Sequence, residues 1–149
     1  MTALVYRDLP EPGFITGLTY GLSLADHPEW RLGKPELMIT VESTDINWAI
    51  VPAIFADEWR GQQAFIYGST MNHGEPICPE TKMSAFVIFA PAILEPADCD
   101  IDVGEPRKVI LNGCYPIHES ERKFIQANGL EAFWKLDWDP FDVGRAPVA

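Results

Sequence analysis

Basic residues, cysteines and long apolar runs are all scarce in this chain. Eleven Lys and Arg stand against 22 Asp and Glu, a net charge of −11. That deficit repels phosphate backbones and anionic bilayers on average, so neither nucleic acid nor a membrane is the expected partner. A basic protein would be attracted, although acidity also serves solubility by itself. No apolar run reaches the length of a membrane-spanning helix. No basic-then-apolar leader opens the chain, because Arg7, Asp8 and Glu11 already interrupt Met1 to Pro12. The expectation is a cytoplasmic protein. Cys78, Cys99 and Cys114 make an odd, widely spaced set without a CxxC pair, so reduced and mostly buried thiols are expected.

What is present suits a packed globule. The chain has 149 residues, 47% of them hydrophobic and 11% aromatic, enough to build a core. No repeat or linker divides it, so residues 1–149 read as one domain. Phe14, Thr16, Leu18, Tyr20 and Leu22 alternate with Gly17, Thr19, Gly21 and Ser23, a strand pattern whose small-residue face admits another backbone closely. Leu37, Ile39 and Val41 mark a second strand. Ser43, Thr44 and Asp45 offer caps for a helix reaching about Trp59, with Trp48, Val51, Phe55 and Trp59 near helical spacing and Gly61 closing it. Pro52 conflicts with an unbroken helix, which either kinks there or begins there. Further strands are expected at Ala64 to Tyr67, Ala85 to Phe89 and Val109 to Asn112. Ile117, Phe124 and Ile125 form an apolar stripe on a helix that Gly129 ends, and Leu130, Phe133 and Trp134 begin a short one. The tail from Asp137 to Ala149 is expected to wrap the surface. This order predicts an α+β fold, a mixed and mainly antiparallel sheet with helices packed against it.

Patterns that carry chemistry are thin. His27, His73 and His118 are scattered, with no HxxxH or HExxH spacing to seat a metal. His118-Glu119-Ser120-Glu121 resembles a ligand cluster but reads more simply as a helix start, its acids opposing the helix dipole. Ser23 lies in a strand pattern without a GxSxG elbow, and Cys78 has no basic neighbour to lower its pKa. No cofactor or metal is expected. Trp48, Trp59 and Trp134 fall on apolar stripes and belong in a core. Trp30 and Trp138 lie in polar loops, where a tryptophan either anchors a partner or folds back over the core. The second is favoured.

One feature runs through almost the whole chain. Thr19-Tyr20-Gly21-Leu22-Ser23, the strand of Glu36 to Val41, Asn47-Trp48-Ala49 and Tyr67-Gly68 stand in order. Phe86 to Pro91 and Tyr115-Pro116-Ile117 with Glu121 follow. Together they resemble the bacterial branch of the suppressor-of-fused domain family. That resemblance implies a mixed α/β sandwich and a binding role rather than catalysis. The animal member restrains a transcription factor by binding it, and bacterial relatives look like immunity proteins that neutralise toxins. The expected partner is therefore a basic toxin domain. The loop from Gly68 to Lys82 is the candidate contact surface, with Tyr67, Asn72, His73, Glu75 and Glu80 as its contact residues. The alternative is a small metal-dependent hydrolase using His118, Glu119 and Glu121, or His73.

Overall fold

The computed structural model describes residues 1–104 and 106–149. Its strands are β1 (Thr2–Arg7), β2 (Phe14–Tyr20), β3 (Lys34–Glu42), β4 (Thr70–Asn72), β5 (Ala85–Phe89), β6 (Asp100–Ile101) and β7 (Val109–Ile117). Helix α1 (Asn47–Glu58) follows β3, and α2 (Glu119–Asn128) and α3 (Leu130–Trp134) follow β7. The strands form one seven-stranded sheet in the order β1-β2-β3-β7-β5-β4, with β6 paired to the first residues of β7. Among the described residues, β3 and β7 pair in parallel and the other strand pairs are antiparallel. The α+β class read from the sequence is the one observed.

Period-two alternation sends opposite sets of side chains to the two faces of this sheet. Ile15, Leu37, Ile39, Val41, Phe86, Ile88 and Cys114 join Trp48, Ala49 and Phe55 of α1 in the main core, on what is here called the inner face. Ala85, Val87, Tyr115 and Ile117 face the other way. They meet Ile125 of α2 and Phe133 of α3, with Trp134 and Trp138 packed alongside.

The alternation of β2 was legible, but its orientation is opposite to simple hydrophobic expectation. The small-residue face is the inner one. Gly17 lies so near α1 that a Cβ there would stand 2.5 Å from the Cα of Ala49, so only glycine lets the helix seat. Phe14, Leu18 and Tyr20 lie on the outer, partly open face, with Tyr20 62% exposed, while Leu22, beyond the strand's end in a short 3-10 turn, is buried in the main core.

Several boundaries differ from expectation. Helix α1 begins at Asn47 and runs through Pro52, rather than starting there. Its first turn is held by Asp45, whose Oδ1 accepts the Asn47 N–H at 2.9 Å, and by burial of Trp48 and Ala49. Ala64 to Tyr67 is not a strand. Phe65 has a left-handed φ of 51°, and side chains take up the carbonyls a ladder would have used. Trp30 Nε1 donates to Ala64 O at 2.6 Å, and Asn112 Nδ2 to Phe65 O at 2.8 Å. Strand β7 runs on past Asn112 and includes Ile117, which was expected on the helix. Pro116 is tolerated because β3 pairs with β7 only as far as Gly113, leaving no ladder on that side to break. Strands β1 and β6 were not foreseen, and β4 lies inside the segment read as a loop.

Both loop tryptophans fold inward. Trp30 is buried in the main core, and Trp138 packs against Phe133 and Trp134 at ring distances of 4.9 and 5.2 Å. The tail does more than wrap the surface. Val143 is buried, and Glu42 N–H donates to Phe141 O at 3.0 Å, tying the tail back to β3.

Candidate functional site

The segment after α1 is pinned at short intervals, so its exposed side chains are held in place. Gly68 N–H donates to Ile88 O, His73 N–H to Ser84 O and Ile77 N–H to Met83 O, at 2.8 to 3.0 Å. Between these anchors β4 pairs with β5, placing Asn72 opposite Ala85. Asn72 Oδ1 accepts the Gly74 N–H at 2.8 Å, the side-chain-to-backbone bond that closes an Asx turn. The loop is therefore a shaped surface.

Each residue expected to touch a partner has a distinct setting. Tyr67 is 51% exposed and leans on Phe89 with ring centroids 5.2 Å apart. Burial of its ring, with Cys99 and Asp100 adding, raises its phenol pKa, so it stays neutral and able to donate a hydrogen bond. His73 sits edge-on to Phe55 at 5.4 Å, and its Nε2 lies 3.8 Å from Glu75. The Glu75 carboxylate points into solvent. Glu80 differs: its Oε1 accepts from Ser43 Oγ and from Trp48 Nε1, both at 2.5 Å. Its carboxylate thus ties the loop to the start of α1 and satisfies the indole of a fully buried tryptophan.

A neighbouring groove of about 530 Å³ lies between this region and β7. Tyr67, Ile66, Leu32, Trp30, Ile110 and Asn112 are among its lining residues. Leu32 is 84% exposed and Ile66 is also exposed. Apolar side chains held at a groove mouth beside an aromatic suit a protein surface more than a bulk-water one. The sequence signal for it was weak, because Leu32 sits two residues beyond Trp30 of a polar loop and Ile66 in a segment read as a strand.

The residues of the alternative, hydrolytic reading have other work. Glu121 is fully buried: Arg145 donates to both of its oxygens at 2.5 and 2.9 Å, while the N–H groups of His118 and Val148 add bonds of 2.8 and 3.0 Å. Burial alone would raise its pKa, but the bonds from Arg145, His118 and Val148 outweigh it and hold the carboxyl below the usual range. Glu119 forms a two-point pair with Arg122, at 2.7 Å to each oxygen, and its pKa is lowered chiefly by that pair. His118 Nε2 lies 2.9 Å from Arg145 O. Among the described residues, no three His, Cys, Asp or Glu side chains are grouped to hold a metal ion. Nor do the thiols resemble nucleophiles. Burial, with Asp45 and Glu80 adding, pushes Cys78 up to about 12, and burial pushes Cys114 up as well.

A second buried carboxylate explains the Tyr20-Gly21-Leu22-Ser23 segment. Glu36 accepts from Thr19 Oγ1 at 2.5 Å, Gly21 N–H at 2.9 Å, Ser23 N–H at 3.0 Å and Ser23 Oγ at 2.7 Å. Gly21 takes a φ of 120°, which side-chain-bearing residues rarely adopt. The motif is thus a carboxylate-clamped turn leaving β2, with no catalytic role required of Ser23. An acid at an alternating position of an apolar strand was the available clue.

Known proteins share this fold. The family model described as Suppressor of fused protein (SUFU) matches residues 1–146. Among solved structures, a putative SUFU homologue from Neisseria gonorrhoeae FA 1090 is similar with a TM-score of 0.66 at 19% identity, over 91% of this chain and 71% of that one. The Sufu–Fu complex matches with a TM-score of 0.61 at 12% identity, over 89% and 66% of the two chains. Drosophila Suppressor of Fused matches at 0.56 and 13% identity, with 83% of this chain covering 34% of the fly protein. At these identities the likeness is one of fold. No curated protein matches the sequence.

Proposed function

We propose that this chain, which belongs to the suppressor of fused protein family, is a non-enzymatic protein-binding domain that acts as a bacterial immunity protein against a cognate toxin. The observation that carries the binding role is the pinned loop of residues 68–82 beside the exposed Tyr67 and its apolar groove. A related fold is seen bound to a protein in the Sufu–Fu complex. The toxin itself is argued from charge: at −11 this chain draws in a basic partner, and a nuclease-like toxin domain has that character.

In this reading Tyr67 is the aromatic anchor, because interface hot spots favour a large, half-desolvated ring with a polar tip. Asn72, His73 and Glu75 form the polar rim. Glu80 contributes by holding the loop against Trp48 and Ser43. The chain works in the cytoplasm by occluding its partner, with no cofactor.

The test is to co-express the chain with any toxin-like candidate encoded in an adjacent gene and measure association at low and high salt. Glu75→Lys should slow association severalfold at low salt and leave the melting temperature unchanged. Glu80→Lys should lower the melting temperature as well, because it breaks two internal hydrogen bonds. A complex whose association rate ignores both salt and Glu75→Lys would remove this loop from the interface. Failure to form any complex would remove the immunity role.

A further inference from the structure

We propose that this chain pairs with a second copy of itself along β1, continuing the sheet across a two-fold axis centred on Leu4. Strand β1 is a free edge, since among the described residues β2 is its one neighbour in the sheet. Its pairing with β2 is continuous from Thr2 opposite Tyr20 to Arg7 opposite Ile15, without a bulge. It contains no proline, and its one charged side chain, Arg7, stands at its end. The usual devices that blunt an edge strand are missing. The other edge, β4, offers only three residues.

A groove of about 560 Å³ runs along β1 on the inner face, between the strand and α1. Ala3, Val5, Ile50, Ala53 and Ile54 line it, and Asp57 and Glu58 lie at one end. Ile54 is 56% exposed on a helix whose other apolar residues are mostly in the core.

The occupant follows from symmetry and charge. Antiparallel strands place residues of the same face opposite each other, so a continuous sheet needs Leu4 opposite its own copy or Val5 opposite its own. Centring on Leu4 sets Ala3 against Val5, Thr2 against Tyr6 and Met1 against Arg7. Asp57 Oδ1 lies 3.8 Å from the Met1 nitrogen. Arg7 of one copy therefore arrives beside Asp57 and Glu58 of the other, and two-fold symmetry makes the contact twice. Centring on Val5 would instead set Arg7 against Ala3, over the apolar wall. The Leu4 register also lays the two grooves end to end and brings the Ile54 side chains of both helices toward one seam. Long-range repulsion between two acidic copies is screened beyond about 8 Å at physiological ionic strength.

Sedimentation analysis of the full chain over a wide concentration range in physiological salt tests this. A monomer–dimer equilibrium is expected. Arg7→Glu should raise the dissociation constant about tenfold, since each charge contact is lost twice. Combining Arg7→Glu with Asp57→Arg should restore pairing. Ile54→Lys should give a monomer that melts like the wild type. A chain that stays monomeric at every concentration would overturn the proposal. So would a dimer indifferent to both Arg7→Glu and Ile54→Lys, which would be using another face.

Discussion

On the α1 side of the sheet a helix backbone rests almost directly on a strand, whereas on the α2–α3 side aromatic rings fill the gap. The first contact depends on the missing side chain of Gly17 beneath Ala49. The second depends on a cluster in which Phe89, Tyr115 and Trp138 surround Trp134 and Phe133 packs on Trp138. A buried carboxylate fixes each half, again by contrasting means. Glu36 is satisfied by hydroxyl and backbone donors from a turn close in sequence, at Thr19, Gly21 and Ser23. Glu121 draws on Arg145, 24 residues away, whose guanidinium lies 4.7 Å over the Trp138 ring. The first clamp shapes a local turn, and the second closes the tail over the second core. Burial costs the same kind of desolvation in both, so what differs is the consequence of losing a partner.

The largest effect should come from Gly17→Val. Valine's Cβ would already stand 2.5 Å from the Cα of Ala49, and its two methyl groups crowd the site further. No side-chain rotation relieves a clash with backbone, so α1 must lift from β2. A loss of about 3 kcal/mol or more, or outright insolubility, is expected by urea denaturation. If the variant were as stable as the wild type, the close approach would not govern this half of the fold.

Glu121→Gln comes next, at about 3–5 kcal/mol, because it leaves the Arg145 charge buried without its counter-ion. Joint replacement with Arg145→Met should recover part of that loss. The pH dependence has a definite sign. The folded pKa of Glu121 is lowered, so its stabilisation is present above the unfolded carboxylate value of about 4.3 and fades as pH falls through the folded value. Melting temperatures measured down an acid series should therefore converge for wild type and Glu121→Gln. Parallel curves would mean that the carboxylate charge is not what Arg145 needs.

Glu36→Gln should cost less, about 1–3 kcal/mol, since its donors are neutral and the amide keeps one acceptor. If it proved costlier than Glu121→Gln, the ranking of the two clamps would be inverted. Tyr67→Ala should change stability by no more than about 1.5 kcal/mol, the scale of its ring contact with Phe89. Its effect should appear in the lifetime of a partner complex instead, measured as a faster dissociation rate.

Much of this architecture was legible where a residue's neighbours in sequence set its environment. Ala85 to Phe89 read as a strand because sheet faces on both sides bury it. Glu121 read as a helix-start acid because His118 N–H lies three residues away. Its pairing with Arg145 was not legible, since nothing local marks a contact 24 residues distant. The same limit explains Ala64 to Tyr67, an apolar run whose carbonyls are claimed by Trp30 and Asn112 from elsewhere. Strand β1 was not foreseen, because Ala3 to Tyr6 is a continuous apolar run without polar alternation, and its partner strand decides its edge position. For the candidate binding face, polar loop residues were visible by composition. The anchoring of Glu80 and the exposure of Leu32 and Ile66 needed the fold.

The most direct test of the binding role is growth rescue. If a toxin-like domain is encoded beside this chain, cells induced to express it should be arrested, and co-expression of the wild-type chain should restore growth. Tyr67→Ala and Glu75→Lys, at equal soluble levels, should rescue poorly. Absence of rescue by well-folded wild-type chain would contradict the immunity role, and full rescue by both variants would place the contact surface elsewhere.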